Sequence, residues 1–244
     1  MSKSPIRKKL QHTEYQDKCF LPRPQGKKSL HLLHIGKTGG TALKQALLPH
    51  AMEGNYIIKM HGHNVTLHQI PRGDKVMFFL RDPVTRFVSG FLSRQRQGQP
   101  RYFSPWSLDE KIAFTHFDTP NALARSLGAG NIEERAAAEA AMQCIEHVSA
   151  PYLGWFGTRE NLLARYDDIL LVGYQESLTA DFQRLCSKLD LSESVSLPSD
   201  PVKAHRNPDS LDAHLDEKAV ANLRQWYADD IDFVAFCRAN FETS

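Results

Sequence analysis

The chain has 244 residues, of which 41% are hydrophobic and 24% charged, with 30 Lys and Arg against 28 Asp and Glu. That balance excludes disorder as the main state, because it supplies enough apolar side chain to bury a sizeable core. The longest purely aliphatic or aromatic run is Val76 to Leu80, far short of the roughly 18 residues a membrane helix needs, so no integral membrane segment is expected.

The N-terminus lacks the apolar stretch of a secretory signal, and a cytoplasmic location is the expectation. Charge is spread unevenly. Residues 1–28 hold eight Lys and Arg against Glu14 and Asp17, while residues 207–244 hold three against eight acids. The first stretch reads as a basic, solvated arm ahead of a domain at 29–244. It has few aromatics (Tyr15 and Phe20) and no amphipathic period, so nucleic acid is not the expected partner. Cys19, Cys144, Cys186 and Cys237 stand far apart with no C-x-x-C pair, the pattern of free thiols and not of a zinc site or a disulfide scaffold.

In chain order, Ser29 to Ile35 has the length and composition of a strand. It breaks at Gly36-Lys-Thr-Gly-Gly-Thr41, after which Ala42 to Leu48 predicts a helix ended by Pro49. Asn55 to Met60 predicts a second strand. Lys75 to Leu80 predicts a third, whose continuous apolar run suits a parallel strand buried on both faces. Asp82 and Pro83 then supply an N-cap and first helical residue, with Val84, Phe87, Val88, Phe91 and Leu92 on one helical face. Ser107–His116, Pro120–Leu127 and Ile132–Val148 predict helices, Ile169–Gly173 a fourth strand, and Leu178–Leu189 a further helix. Asp216–Phe241 reads as a closing helical stretch broken near Asp229 and Asp230, and Leu197–Pro208 as a long loop. Strands alternating with helices predict one α/β domain, P-loop-like, with a central parallel sheet flanked by helices.

A strand, a Gly-rich turn carrying Lys and Thr, and a helix make an anion site: backbone N–H groups converge on the anion and the lysine adds a charge. The turn is not a Walker A loop, which would require glycine at position 31, where His31 stands. A second motif leaves the third strand, Arg81-Asp-Pro-Val-Thr-Arg-Phe-Val-Ser89. Its guanidinium and hydroxyl suit a second phosphate if the first and third strands are neighbours. Asp82 before Pro83 is better explained as a helix cap than as a magnesium ligand.

Together these motifs carry a resemblance. Leu33-His-Ile-Gly-Lys-Thr-Gly-Gly-Thr-Ala-Leu43 resembles the 5′-phosphosulfate loop of the PAPS-dependent sulfotransferases, whose carbohydrate branch commonly reads H-I-P-K-T-G-G-T. Phe79 to Phe91 resembles that branch's 3′-phosphate motif. The match spans residues 31 to about 96 and departs at Gly36, where proline is usual. The resemblance implies the sulfotransferase fold. It implies that Lys37, Thr38, Gly39, Gly40 and Thr41 hold the 5′-phosphosulfate, and that Arg81 and Ser89 hold the 3′-phosphate. PAPS would be the sulfuryl donor, adenosine 3′,5′-bisphosphate the product, with no metal.

Sulfuryl transfer needs a base for the acceptor hydroxyl. His61-Gly-His63 follows the second strand, and imidazole has a suitable ordinary pKa. The pair resembles that of the heparan-sulfate uronosyl 2-O-sulfotransferases, which makes His63 the base and His61 a neighbour that orients substrate. Glu53 is the alternative base. A zinc site from His61, His63 and His68 lacks a fixed ligand spacing, and His31 and His34 read as strand residues. The expected reaction is transfer from PAPS to a hydroxyl of a small molecule or, above all, a saccharide. Arg86, Arg94, Arg96 and Arg101 would suit an acidic saccharide or form a solvated helix face. Lys203 to Asn207 is a basic loop that would either close over the donor, with Arg206 as a further nucleotide contact, or stay a solvated loop. An atypical Mg-dependent nucleotide kinase and a non-catalytic nucleotide-binding module are the rival readings.

Overall fold

The computed structural model describes residues 26–200, 202, 207–208 and 211–241. Most of the basic arm, Cys19, and residues 203–206 with Arg206 lie outside them. Four strands, β1 (Lys28–Leu33), β2 (Tyr56–Met60), β3 (Lys75–Leu80) and β4 (Ile169–Tyr174), form one sheet in the order β2-β1-β3-β4. Every pairing is parallel, with Leu32 opposite Met60, Leu33 opposite Phe78 and Leu80 opposite Tyr174.

The apolar run of β3 is apolar throughout because the sheet is covered on both sides. Met77 and Phe79 join Leu30, Leu32 and Leu171 against α1 (Gly40–Leu47) and α8 (Leu178–Leu189). The alternate residues Val76, Phe78 and Leu80 join Leu33 and Val172 against Tyr152, Phe156 and Phe233 on the opposite face. Phe233 belongs to α10 (Ala228–Phe241). A third apolar cluster lies among α2 (Pro83–Gln95), α3 (Leu108–His116), α4 (Pro120–Ser126), α5 (Ile132–Cys144) and α9 (Glu217–Trp226), around Phe87, Phe91, Leu123, Met142 and Leu223. None of the helices among the described residues is long and apolar enough to cross a membrane.

One helix boundary differs from the expectation and another is sharpened. The helix predicted to run to Val148 stops at Cys144: Ile145 and Val148 are drawn into the third cluster, and the Glu110 carboxylate takes the Glu146 N–H at 3.1 Å. Tertiary contacts thus override the helical pattern of the last four residues. The closing stretch breaks at Tyr227, near Asp229 and Asp230 as expected. Tyr227 ends α9 and donates through its hydroxyl to Val148 O (2.9 Å), while the two aspartates sit in the first turn of α10, where the helix dipole favours acids. The short helices α6 (Leu153–Phe156) and α7 (Arg159–Leu163) are unforeseen, since one turn shows no period.

Strand order places the site. From β1 the chain moves outward to β2, then crosses back to β3 on the other side. The connections leaving β1 and β3 therefore diverge, and a crevice opens at the C-terminal ends of these strands.

Candidate functional site

Residues 34–39 leave β1 into that crevice. Three successive carbonyls of the loop are held by side chains, one from within it and two from outside. Ile35 O accepts from Thr38 Oγ1 at 3.0 Å, Gly36 O from Arg86 Nε at 3.0 Å, and Lys37 O from Arg81 Nη1 at 3.4 Å. Because a peptide's C=O and the next N–H point in opposite directions, the amides of Gly36, Lys37 and Thr38 are turned away from these partners. Lys37 itself has φ 67°, a left-handed conformation that a side chain rarely adopts and that clusters at functional sites. Gly39, at φ 91°, is the N-cap of α1 and supplies no side-chain cap, whereas α2, α3, α4, α5 and α9 are capped by Asp82, Ser107, Thr119, Asn131 and Asp216. The first amides of α1, those of Gly40 and Thr41 included, thus meet no capping side chain. Gly40 is glycine for room: a Cβ there would stand 2.2 Å from the His34 ring.

Cations converge on the loop. Burial first, and then the charges of Arg96 and Arg81, push the Lys37 ammonium down to about 7, with Glu146 opposing. Burial likewise lowers the pKa of both Arg81 and Arg96. Arg81 also donates from Nε to Thr85 Oγ1 (3.0 Å), and Arg96 from Nη1 to Asn207 Oδ1 (2.8 Å), so the end of the late basic loop reaches this side of the crevice. An anion is the ligand that such a group of desolvated cations favours.

Histidines gather beside the loop and along β1 in two separate sets. His63 Nδ1 lies 2.8 Å from His34 O. A carbonyl only accepts, so Nδ1 carries the hydrogen and Nε2 of the neutral ring holds the lone pair. Desolvation, with Lys44, Lys37 and Arg86 nearby, lowers the His63 pKa, while the bond to His34 O opposes it. His34 lies against this ring (centroids 3.9 Å) and His147 meets it edge-on at 5.5 Å. In the second set, His31 Nε2 donates to the buried Asp74 carboxylate (3.1 Å), and His31 Nδ1 is 2.8 Å from His61 Nε2. Burial, then His31, Lys44 and Lys59, bring His61 down to about 4. Lys44 further holds His61 O, and Trp155 Nε1 holds His63 O at 2.9 Å.

Several sequence expectations change. Arg86 and Arg94, assigned to an acidic saccharide or a solvated face, are both 2% exposed. Arg86 spans Gly36 O, Ala150 O and Asp230, and Arg94 pairs with Glu110 at 2.6 Å. Both brace the fold. Glu53 precedes β2 at the other end of the sheet and pairs with His50 (2.7 Å), so it does not reach the crevice. His31, read as a strand residue only, links Asp74 to His61, and His61 is engaged with it. His68 lies beside Asn161 (3.4 Å), so His61, His63 and His68 form no cluster. Among the described residues, no three His, Cys, Asp or Glu are arranged to hold a metal ion. Thr38 spends its hydroxyl within the loop. Ser89 is buried on α2, and the hydroxyl meeting Arg81 is that of Thr85, one turn earlier. Lys44, Glu146 and His147 were not foreseen. Lys44 follows Gly40 by four residues on α1, a spacing that helical geometry makes readable. His147 gave no such signal.

Scanned against models of protein families, the chain matches none, and no curated protein matches it.

Proposed function

We propose that the chain is a PAPS-dependent sulfotransferase of the carbohydrate branch, acting on a hydroxyl acceptor. The observation that carries the reading is that Arg81 holds the carbonyl of Lys37 in the loop leading into an uncapped helix N-terminus, with Arg96 near enough to depress the Lys37 ammonium and His63 bonded to the carbonyl of His34 in the same loop. The loop amides with Lys37 and the adjoining Arg81 guanidinium offer two kinds of anion contact, and these suit a nucleotide that carries phosphate at both ends of its ribose. In this reading the bond from sulfur to the acceptor oxygen forms as the bond from sulfur to the phosphate oxygen breaks. The acceptor proton passes to His63 Nε2, and the departing phosphate oxygen keeps the electron pair beside Lys37. A saccharide hydroxyl and a cytoplasmic setting belong to the same proposal.

Asp82 does not support the kinase alternative, because its carboxylate caps α2 by accepting from Thr85 N at 2.9 Å. The test is transfer of labelled sulfate from PAPS across a panel of saccharide and small-molecule hydroxyls, with and without EDTA. Transfer that persists in EDTA is expected. Phosphate transfer from ATP that requires magnesium would favour the kinase, and nucleotide binding without either transfer would leave a binding module.

A further inference from the structure

The loop between α5 and α6 is held more firmly than a connection requires. Glu110 takes its Glu146 N–H, Arg86 Nη2 donates to Ala150 O at 2.8 Å, and Asp230 takes the Tyr152 N–H at 2.8 Å. Glu110, Arg86 and Asp230 are all buried. Between these anchors stands His147 with φ 70°, a conformation that costs a β-carbon residue on the order of 1–3 kcal/mol and persists only when its surroundings impose it. The ring is seated where two glycines leave space. A Cβ on Gly36 would lie 3.1 Å from His147 Nδ1, and one on Gly90 would lie 3.4 Å from the His147 backbone. From that seat the ring meets His63 edge-on.

We propose that His147 is a positioning residue for His63, its strained and clamped backbone presenting a ring whose edge fixes the orientation of the His63 imidazole. The role rests on the reading of His63 as the base, but its physical content does not. The groups facing His63 are the His34 carbonyl and ring, Lys37 of the loop, Lys44 of α1, Arg86 of α2 and His147 itself. His63 is exposed on its solvent side, but the packing around the rest of the ring is the largest influence lowering its pKa, so removing the neighbouring ring lets the His63 pKa rise. His147 stays neutral, held far below the ordinary imidazole value by burial and by Lys37, so its removal deletes a packing contact and not a charge.

The experiment is NMR titration of histidine-labelled protein, with the His63 signal assigned through His63→Ala, in wild type, His147→Gly and His147→Asn. Glycine and asparagine both accept positive φ, so His147→Gly should melt no lower than wild type. Its His63 midpoint should nevertheless move up, while His147→Asn, which restores a planar polar group, should recover part of the shift. In transfer assays, kcat of His147→Gly should fall about tenfold at neutral pH with the nucleotide Kd unchanged. A His63 midpoint identical in all three proteins overturns the proposal. A wild type without sulfuryl transfer would sink the proposed reaction alone, since the His63 midpoint decides the positioning role independently of it.

Discussion

Four arginines lie on or beside α2, and they divide into two pairs. Arg86 and Arg94, on the helix, are 2% exposed and sit against the carboxylates of Asp230 (3.5 Å) and Glu110 (2.6 Å). Hydrogen bonding to Glu110 raises the Arg94 pKa above its ordinary value. Arg81 and Arg96, at the two ends of the helix, bond neutral oxygens instead: Thr85 Oγ1 and Lys37 O for the first, Gln99 O and Asn207 Oδ1 for the second. Burial lowers both of their pKa values, and their charges depress that of Lys37. One residue type thus serves two ends. A cation hydrogen-bonded to a buried carboxylate braces the fold, and a cation whose hydrogen bonds go to neutral oxygens, as those of Arg81 do with Glu176 and Asp82 only nearby, is left able to pair with an anion.

The comparison can be broken most visibly through chemistry. His63→Ala should lower sulfuryl transfer by about 10²–10⁴-fold while leaving nucleotide affinity nearly intact, measured as kcat against the Kd for adenosine 3′,5′-bisphosphate. Next come the matched arginines. Arg94→Ala strands the Glu110 carboxylate in the interior and should cost about 3–5 kcal/mol in denaturant unfolding. The unmatched pair should behave in the reverse way. Arg81→Ala should weaken binding of adenosine 3′,5′-bisphosphate by ten- to a hundredfold, from the roughly 1.5–3 kcal/mol of one charge-assisted contact, and cost little stability. If Arg81→Ala unfolds the protein as Arg94→Ala does, the division into bracing and binding arginines fails.

The smallest expected effect is the response to pH, and its sign sharpens the contrast. Folding lowers the Lys37 pKa from 10.5 to about 7. Between those values the unfolded chain binds more protons, so this group adds stability to the ligand-free protein as pH rises. A bound anion favours the ammonium, so nucleotide binding should take up a proton, and affinity should fall by at most about tenfold per pH unit above neutrality. Calorimetry in buffers of different ionisation enthalpy measures that uptake. On the acid side, His34, His61, His63 and His147 all have pKa values below 6.5 in the folded chain. The unfolded state then binds the additional protons, and the melting temperature should drop as pH falls through about 6.

How far the sequence reveals this molecule depends on where each signal resides. The strands show as short apolar runs because the sheet is buried on both faces, and α2 shows through Asp82 and Pro83 as well as its apolar stripe. Lys37, Arg81 and His63 stand at the C-terminal ends of three adjacent parallel strands, so their grouping follows from the alternation of strands and helices. The division among the arginines was hidden, because no local feature distinguishes Arg94 from Arg96; only the distant Glu110 does. His147 was hidden twice, first by an Ala- and Glu-rich pattern that ran on as helix past Cys144, and then by a ring position that Gly36 and Gly90 make possible from over fifty residues away. The Asp74–His31–His61 chain likewise needs three separate stretches to meet at β1.

The most direct test of the central claim, that the cation-lined crevice is a site for a ribose phosphorylated at both ends, is calorimetric titration of the wild-type chain. The ligands are adenosine 3′,5′-bisphosphate, 5′-AMP and ATP with magnesium. A preference of about ten- to a hundredfold for the bisphosphate over 5′-AMP, unchanged by EDTA, is the predicted result. Equal affinity for the bisphosphate and 5′-AMP, or binding confined to ATP with magnesium, would contradict it.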